Sequence, residues 1–183
     1  QTQPKMQACM KHIHTFIISW KGQHEKAAAI ANALSDAADT ISIIYSDPTE
    51  APFPSISAKH ELLRRDDRLF WGDKFQACLD HCAPDDIMLV IHADCHCASW
   101  PKVIEHCRSA FNRVNNIGIW SPRLTGSPWR LIMTRMYRLK GTSYSVVAHT
   151  DGLVFALAPE LQARMRQADY SPNLYGLGID WML

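Results

Sequence analysis

The sequence predicts an α/β fold: a mostly parallel sheet flanked by helices, with an antiparallel hairpin in its C-terminal part. Three observations carry that expectation. Residues 87–91, IMLVI, form an unbroken apolar run with two acids before it and a polar, ionisable cluster after it, the pattern of a strand buried on both faces. Two further β-branched runs, HTFIIS at 14–19 and ISIIY at 41–45, enclose a segment with apolar residues at helical spacing, which makes a right-handed parallel unit of strand, helix and strand. Near the C-terminus, SYSVVAH and LVFALA are joined by Thr150, Asp151 and Gly152, a hairpin signal.

In chain order, Gly22 turns the first strand into a helix that carries Ala27, Ile30, Ala31 and Leu34 on one face. Pro48, Pro52 and Pro54 mark an irregular loop reaching residue 60. After Gly72, Asp73 is expected to cap a helix running to Cys82, with Phe75, Leu79 and Cys82 inward and Pro84 closing it. The helix after the central strand starts at Ser99 or Trp100, with Pro101 in its first turn and Val103, Ile104, Cys107 and Phe111 buried. Ile117 to Trp120 is a short strand and SPRLTGSPW a loop, and Pro159 opens a helix with Leu161, Met165 and Ala168 inside.

A chain of 183 residues, 47% hydrophobic and 20% charged, suits one compact soluble domain. Its expected bounds are 12–183, interrupted at the C-terminal end, behind a polar segment at 1–11. The chain opens without a methionine and is read as trimmed, tagged or excised. A net charge of +1, with no basic stripe interleaved with aromatics, gives no reason to expect nucleic acid. No apolar run nears the roughly 20 residues of a membrane span, and the opening is not a secretory signal. Six cysteines, at 9, 78, 82, 95, 97 and 107, cluster around the central strand without a CxxC pair. Reduced thiols in a cytoplasmic setting, free or peripheral at the inner membrane face, are expected rather than a disulfide frame or a structural zinc.

Ligands of open α/β sheets bind beyond the carboxyl ends of the strands. The central strand is expected to deliver His92, Asp94, Cys95 and His96 there together, and the first two strands to bring Ser19, Trp20, Lys21 and Asp47 to the same edge. A carboxylate with an imidazole two residues to either side can hold a divalent cation against a phosphate. The alternative is a turn in which Asp94 caps the next helix.

The segments ISWKG, IYSD, FWGDKFQACL, IHADCHCASW, VVAHTDGLVFAL and YGLGIDW, in that order, resemble glycosyltransferases of the GT-A type, most of all bacterial family-two sugar transferases. The resemblance runs from His14 to Trp181. It implies a nucleotide-binding sheet and transfer of a hexosyl group, with inversion, from a nucleotide-sugar donor to a hydroxyl of a sugar or glycoconjugate acceptor. By the same resemblance Ser19, Lys21, Asp47, Lys74 and Asp94 hold the donor, and Asp94 and His96 hold Mn²⁺ or Mg²⁺. Imidazole suits transition metals, which favours Mn²⁺. The sequence departs from the family's DxD pattern, because His92 stands in place of the first acid. Asp180 resembles the general base, with Asp151 a competing candidate that a hairpin turn would also explain. Asp47 and Asp180 have plain readings too, as a turn-former and a helix cap. Trp71 and Trp129 could flank the sugar or base, and the remaining histidines have no distinguishing spacing. Two other classes stay open: a non-catalytic nucleotide-sugar-binding module, and a nucleotidyltransferase, for which SWKGQHEK with its single glycine is a poor phosphate loop.

Overall fold

The computed structural model describes residues 11–49, 51–126, 134–173, 175–176 and 179. Strand β1 (Ile13–Trp20), helix α1 (His24–Ala33) and strand β2 (Thr40–Ser46) form the first parallel unit, followed by β3 (Glu61–Arg65) and α2 (Trp71–His81). Next come β4 (Ile87–His92), α3 (Trp100–Arg113), β5 (Ile119–Trp120), β6 (Arg135–Arg138), β7 (Ser145–Val147), β8 (Val154–Leu157) and α4 (Pro159–Met165). The six-stranded sheet has the order β3-β2-β1-β4-β8-β5, and β6 and β7 make a separate two-stranded ribbon. Strands β3, β2, β1 and β4 are mutually parallel, while β8 runs antiparallel between β4 and β5. This is the mixed α/β sheet expected from the sequence.

Strand alternation divides the core between the two faces of the sheet. Ile13 and Ile17 of β1, with Ile87, Leu89 and Ile91 of β4, pack with Ala27, Ile30 and Ala31 of α1 and Ile104 and Cys107 of α3. Phe16 and Ile18, with Met88 and Val90, pack on the opposite face with Phe75 and Leu79 of α2 and Met165 of α4. Gln162, fully buried, donates from Nε2 to the carbonyls of Asp86 (2.7 Å) and Leu157 (3.1 Å), fixing α4 to the start of β4. All the expected inward residues of α3 are buried, and Cys78, Cys82, Cys95, Cys97 and Cys107 are free thiols.

Four local expectations change. Helix α2 begins at Trp71, with Phe70 at the cap position and no side-chain capping bond. Asp73 lies inside its first turn, and its Oδ2 accepts from Arg65 Nε at 2.8 Å. Asp94 caps nothing, because α3 starts beyond it behind Ser99. The runs joined by Thr150 to Gly152 do not pair with each other: β7 pairs with β6, and β8 inserts into the main sheet. The C-terminal hairpin is therefore β6–β7, and the turn explanation of Asp151 falls away.

Candidate functional site at the carboxyl edge of the sheet

The strand order reverses between β1 and β4, since β2 and β3 continue to one side of β1 and β4 lies on the other. At such a switch point the loops leaving the two strands diverge and open a crevice. A cavity of about 460 Å³ lies there, lined by Ile18 and Trp20 of β1, Ser46 of β2, His92 of β4, Trp71 and Lys74 of α2, and neighbours that include Lys21, Asp67, Phe70 and Tyr175. Alternation explains the set: Ile18, Ser46 and His92 share the parity of the α2 face.

His92 is the polar centre of this cavity. Its ring meets Trp71 edge-on at 4.6 Å and Trp20 at 6.1 Å between centroids, and its Nε2 is buried without a hydrogen-bond partner. Burial lowers its pKa to about 4, so the imidazole is neutral near pH 7. Lys74 is also buried. Its Nζ donates to the carbonyls of Leu69 (3.0 Å) and Phe70 (3.5 Å), and burial pulls its pKa below the ordinary lysine value. Lys21 is exposed at the rim. Residues 170–173 and 175–176 close one side: Tyr175 stacks on Phe70 at 4.8 Å, and Gly176, at φ +66°, lies against the Trp71 ring. Gly72 is required for this contact, because a Cβ there would be built onto the carbonyl oxygen of Asn173.

Ser19 and Asp47 have the other parity and fall on the α1 face. Ser19, fully buried, has its Oγ 2.8 Å from Nδ1 of His24, and Nε2 of His24 lies 3.0 Å from Oδ2 of Asp47. Oδ1 of Asp47 accepts from the backbone N (2.7 Å) and hydroxyl (2.6 Å) of Thr49. The two bonds from Thr49, helped by His24, hold the Asp47 pKa down at about 2. His24 was not distinguished by its sequence spacing, and only the start of α1 beside the ends of β1 and β2 shows its place.

The cluster after β4 is not delivered to the cavity as a unit. His92 lines it, whereas Asp94 and His96 are exposed beyond the strand, and Cys95 turns back with Sγ 3.9 Å from the Leu153 carbonyl. Burial raises the Cys95 thiol to about 11, which argues against a thiolate ligand. Among the described residues, no group of three His, Cys, Asp or Glu side chains is placed to hold a metal ion. Asp151 precedes β8, whose Val154 is paired with Ile91, so it lies at the same carboxyl edge. Asp180 and Trp129 lie outside the described residues. Asp67 was missed by sequence reasoning, and Phe70 and Tyr175 open the FWGDKFQACL and YGLGIDW segments without having been given a role.

No family model matches the sequence. No curated protein matches it either. Among solved structures the chain is similar to CMP:2-keto-3-deoxy-manno-octonic acid synthetase complexed with CTP, with TM-score 0.51 and 9% identity over 89% of this chain and 81% of that one. At that identity the likeness is one of fold, shared with an enzyme that holds a nucleotide. No helix among the described residues is long and apolar enough to cross a membrane.

Proposed function

We propose that this chain is a glycosyltransferase that moves a sugar from a nucleotide-diphosphate sugar to an acceptor hydroxyl. The observation that carries the reading is the cavity at the β1/β4 switch point, with two lysines, a neutral imidazole and aromatic walls at the carboxyl ends of β1, β2 and β4. Lys21 and Lys74 would bind and orient the diphosphate, whose charge grows as the bond to the anomeric carbon breaks. Asp47 would meet the nucleoside from the neighbouring side of the edge. Asp94 and His96 would hold Mn²⁺ or Mg²⁺, which when bound supplies Lewis-acid stabilisation of the leaving phosphate. The acceptor hydroxyl needs a proton acceptor, for which Asp180 is the first candidate and Asp151 the second.

A second reading, nucleotidyl transfer, is favoured by the fold shared with CMP:2-keto-3-deoxy-manno-octonic acid synthetase. Against it, β1 leads into α1 through only Lys21, Gly22 and Gln23, with no glycine-rich phosphate loop.

A thermal-shift screen of nucleotide sugars and nucleoside triphosphates, with and without Mn²⁺, tests both readings, because a ligand of the folded state raises its melting temperature. Products then separate them: sugar transfer releases a nucleoside diphosphate, whereas nucleotidyl transfer releases pyrophosphate. Asp94→Asn should abolish Mn²⁺-dependent donor binding without unfolding the chain, since Asp94 is exposed. Unchanged Mn²⁺-dependent affinity in that variant would remove Asp94 from the site.

A further inference from the structure

The β6–β7 ribbon has a composition that the nucleotide cavity does not explain. Between residues 109 and 150 the chain has six lysines and arginines and no acid, so the rest of the chain carries thirteen basic residues against eighteen acidic ones. A net charge near zero therefore conceals a strongly basic segment on an acidic remainder, which corrects the expectation of a chain without a basic stripe. All four residues of β6 are exposed, and two of them are large and apolar: Met136 at 64% and Tyr137 at 56% exposure, between Arg135 and Arg138. A cavity of about 700 Å³ beside them is lined by Arg113, Arg138, Lys140 and the turn between the two strands. Arg113, Arg123, Arg135, Arg138 and Lys140 take part in none of the ion pairs among the described residues.

The topology fixes where this ribbon stands. Both β4 and β5 run antiparallel to β8, so the end of β5 at Trp120 lies on the carboxyl edge with the end of β4, and β8 starts there at Val154. The chain therefore leaves the sheet for the ribbon and returns from it at the edge that holds the candidate site.

We propose that the β6–β7 ribbon docks on the surface of an anionic bilayer. Arginine and lysine meet lipid phosphates, while a tyrosine ring and a methionine side chain sit at the depth of the headgroups, where an amphipathic or apolar body is favoured. An acidic carbohydrate would use the cations and stack on the Tyr137 ring, but would leave the exposed Met136 without a role. Attachment that rests on these surface charges is salt-sensitive.

Vesicle co-sedimentation tests the proposal with phosphatidylcholine alone and with phosphatidylcholine containing phosphatidylglycerol, at low and high salt. The parent should bind the anionic vesicles at low salt, release on adding salt, and ignore the neutral ones. Combined Arg135→Glu, Arg138→Glu and Lys140→Glu should lower partitioning about 10²-fold at low salt, at roughly a fivefold share for each basic residue lost. Met136→Ser with Tyr137→Ser should weaken binding without altering its dependence on salt. All five positions are exposed, so melting temperatures should match the parent. Absence of binding to anionic vesicles, equal binding to neutral ones, or partitioning unaffected by the triple variant would overturn the proposal. So would retention on a soluble acidic polysaccharide by a parent that leaves anionic vesicles unbound.

Discussion

Lowering the pH should destabilise this fold well before its carboxylates protonate, and His92 should carry a measurable part of the loss. The unfolded imidazole titrates near 6.5 and the folded one near 4, because burial between Trp20 and Trp71 opposes its charge. The folded-state pKa is depressed, so between those values the unfolded chain binds a proton that the folded chain refuses. The His92 contribution is thus complete above pH 6.5, falls as the pH drops toward 4, and levels off below that. The depression from 6.5 to about 4 corresponds to an upper limit of about 3 kcal/mol, most of which is lost by pH ~4.5. That is a large part of an ordinary domain stability of about 5–15 kcal/mol. His14, stacked on Phe16 and hydrogen-bonded to Ser42, is also lowered to about 4 and adds to the parent's loss. The variant that isolates His92 is His92→Phe, an aromatic ring of similar shape that does not titrate. Urea unfolding of parent and variant at pH about 7.5 and about 4.5 gives the two differences by linear extrapolation. The variant should lose about 2–3 kcal/mol less than the parent over that interval. Equal losses in the two proteins would refute the neutral, buried imidazole.

Two other perturbations read the cavity wall. Gly72→Ala places a methyl group against the Asn173 carbonyl, and should destabilise the protein by about 1–3 kcal/mol and loosen residues 170–173, seen as greater exposure of Trp71 to a fluorescence quencher. Lys74→Met keeps an apolar stem in a buried position and removes a charge held below its ordinary pKa, so melting should change little while nucleoside diphosphate affinity falls; equal affinity would leave Lys74 a purely structural latch.

Much of the fold was legible because burial on both faces leaves an uninterrupted apolar run, as in Ile87 to Ile91, and because α3 shows its inner face at helical spacing. Strand β3 was not legible, since Glu61, Leu62 and Arg64 are exposed on an edge and give no alternating pattern. Strand β6 is exposed throughout and fails for the same reason. The pairing of β8 was misread because Thr150, Asp151 and Gly152 signal a turn but cannot say which strand the chain meets next. Tertiary packing decided that, by placing β8 against the open side of β4. At the site, residues at strand ends were found by the switch-point rule. Which face each one takes follows from a one-residue difference in strand phase, and His24 became visible only once that phase was fixed.

The phase difference also tells how Asp47 can be tested without breaking the structure around it. Its carboxylate has about four acceptor positions: Thr49 fills two on Oδ1, His24 Nε2–H fills one on Oδ2, and one on Oδ2 remains for a ligand hydroxyl. Asp47→Asn can keep its oxygen toward Thr49 and turn its amide toward His24. The imidazole can then accept at Nε2 and donate from Nδ1 to the Ser19 oxygen, which is the other neutral tautomer. The buried Ser19 hydroxyl therefore keeps its partner, and the melting temperature should stay close to that of the parent. What the variant loses is the spare acceptor at the sheet edge. If Asp47 receives a ribose or base proton, affinity for nucleoside diphosphate and nucleotide sugar should fall together. The parent's affinity should then show no change attributable to Asp47 until the pH nears 2, where the carboxylate finally protonates. Undiminished nucleotide affinity in a fully folded Asp47→Asn protein would leave Asp47 as the anchor of His24 and Thr49 alone, and would move nucleoside recognition to the α2 face, around Ser46, Asp67 and His92.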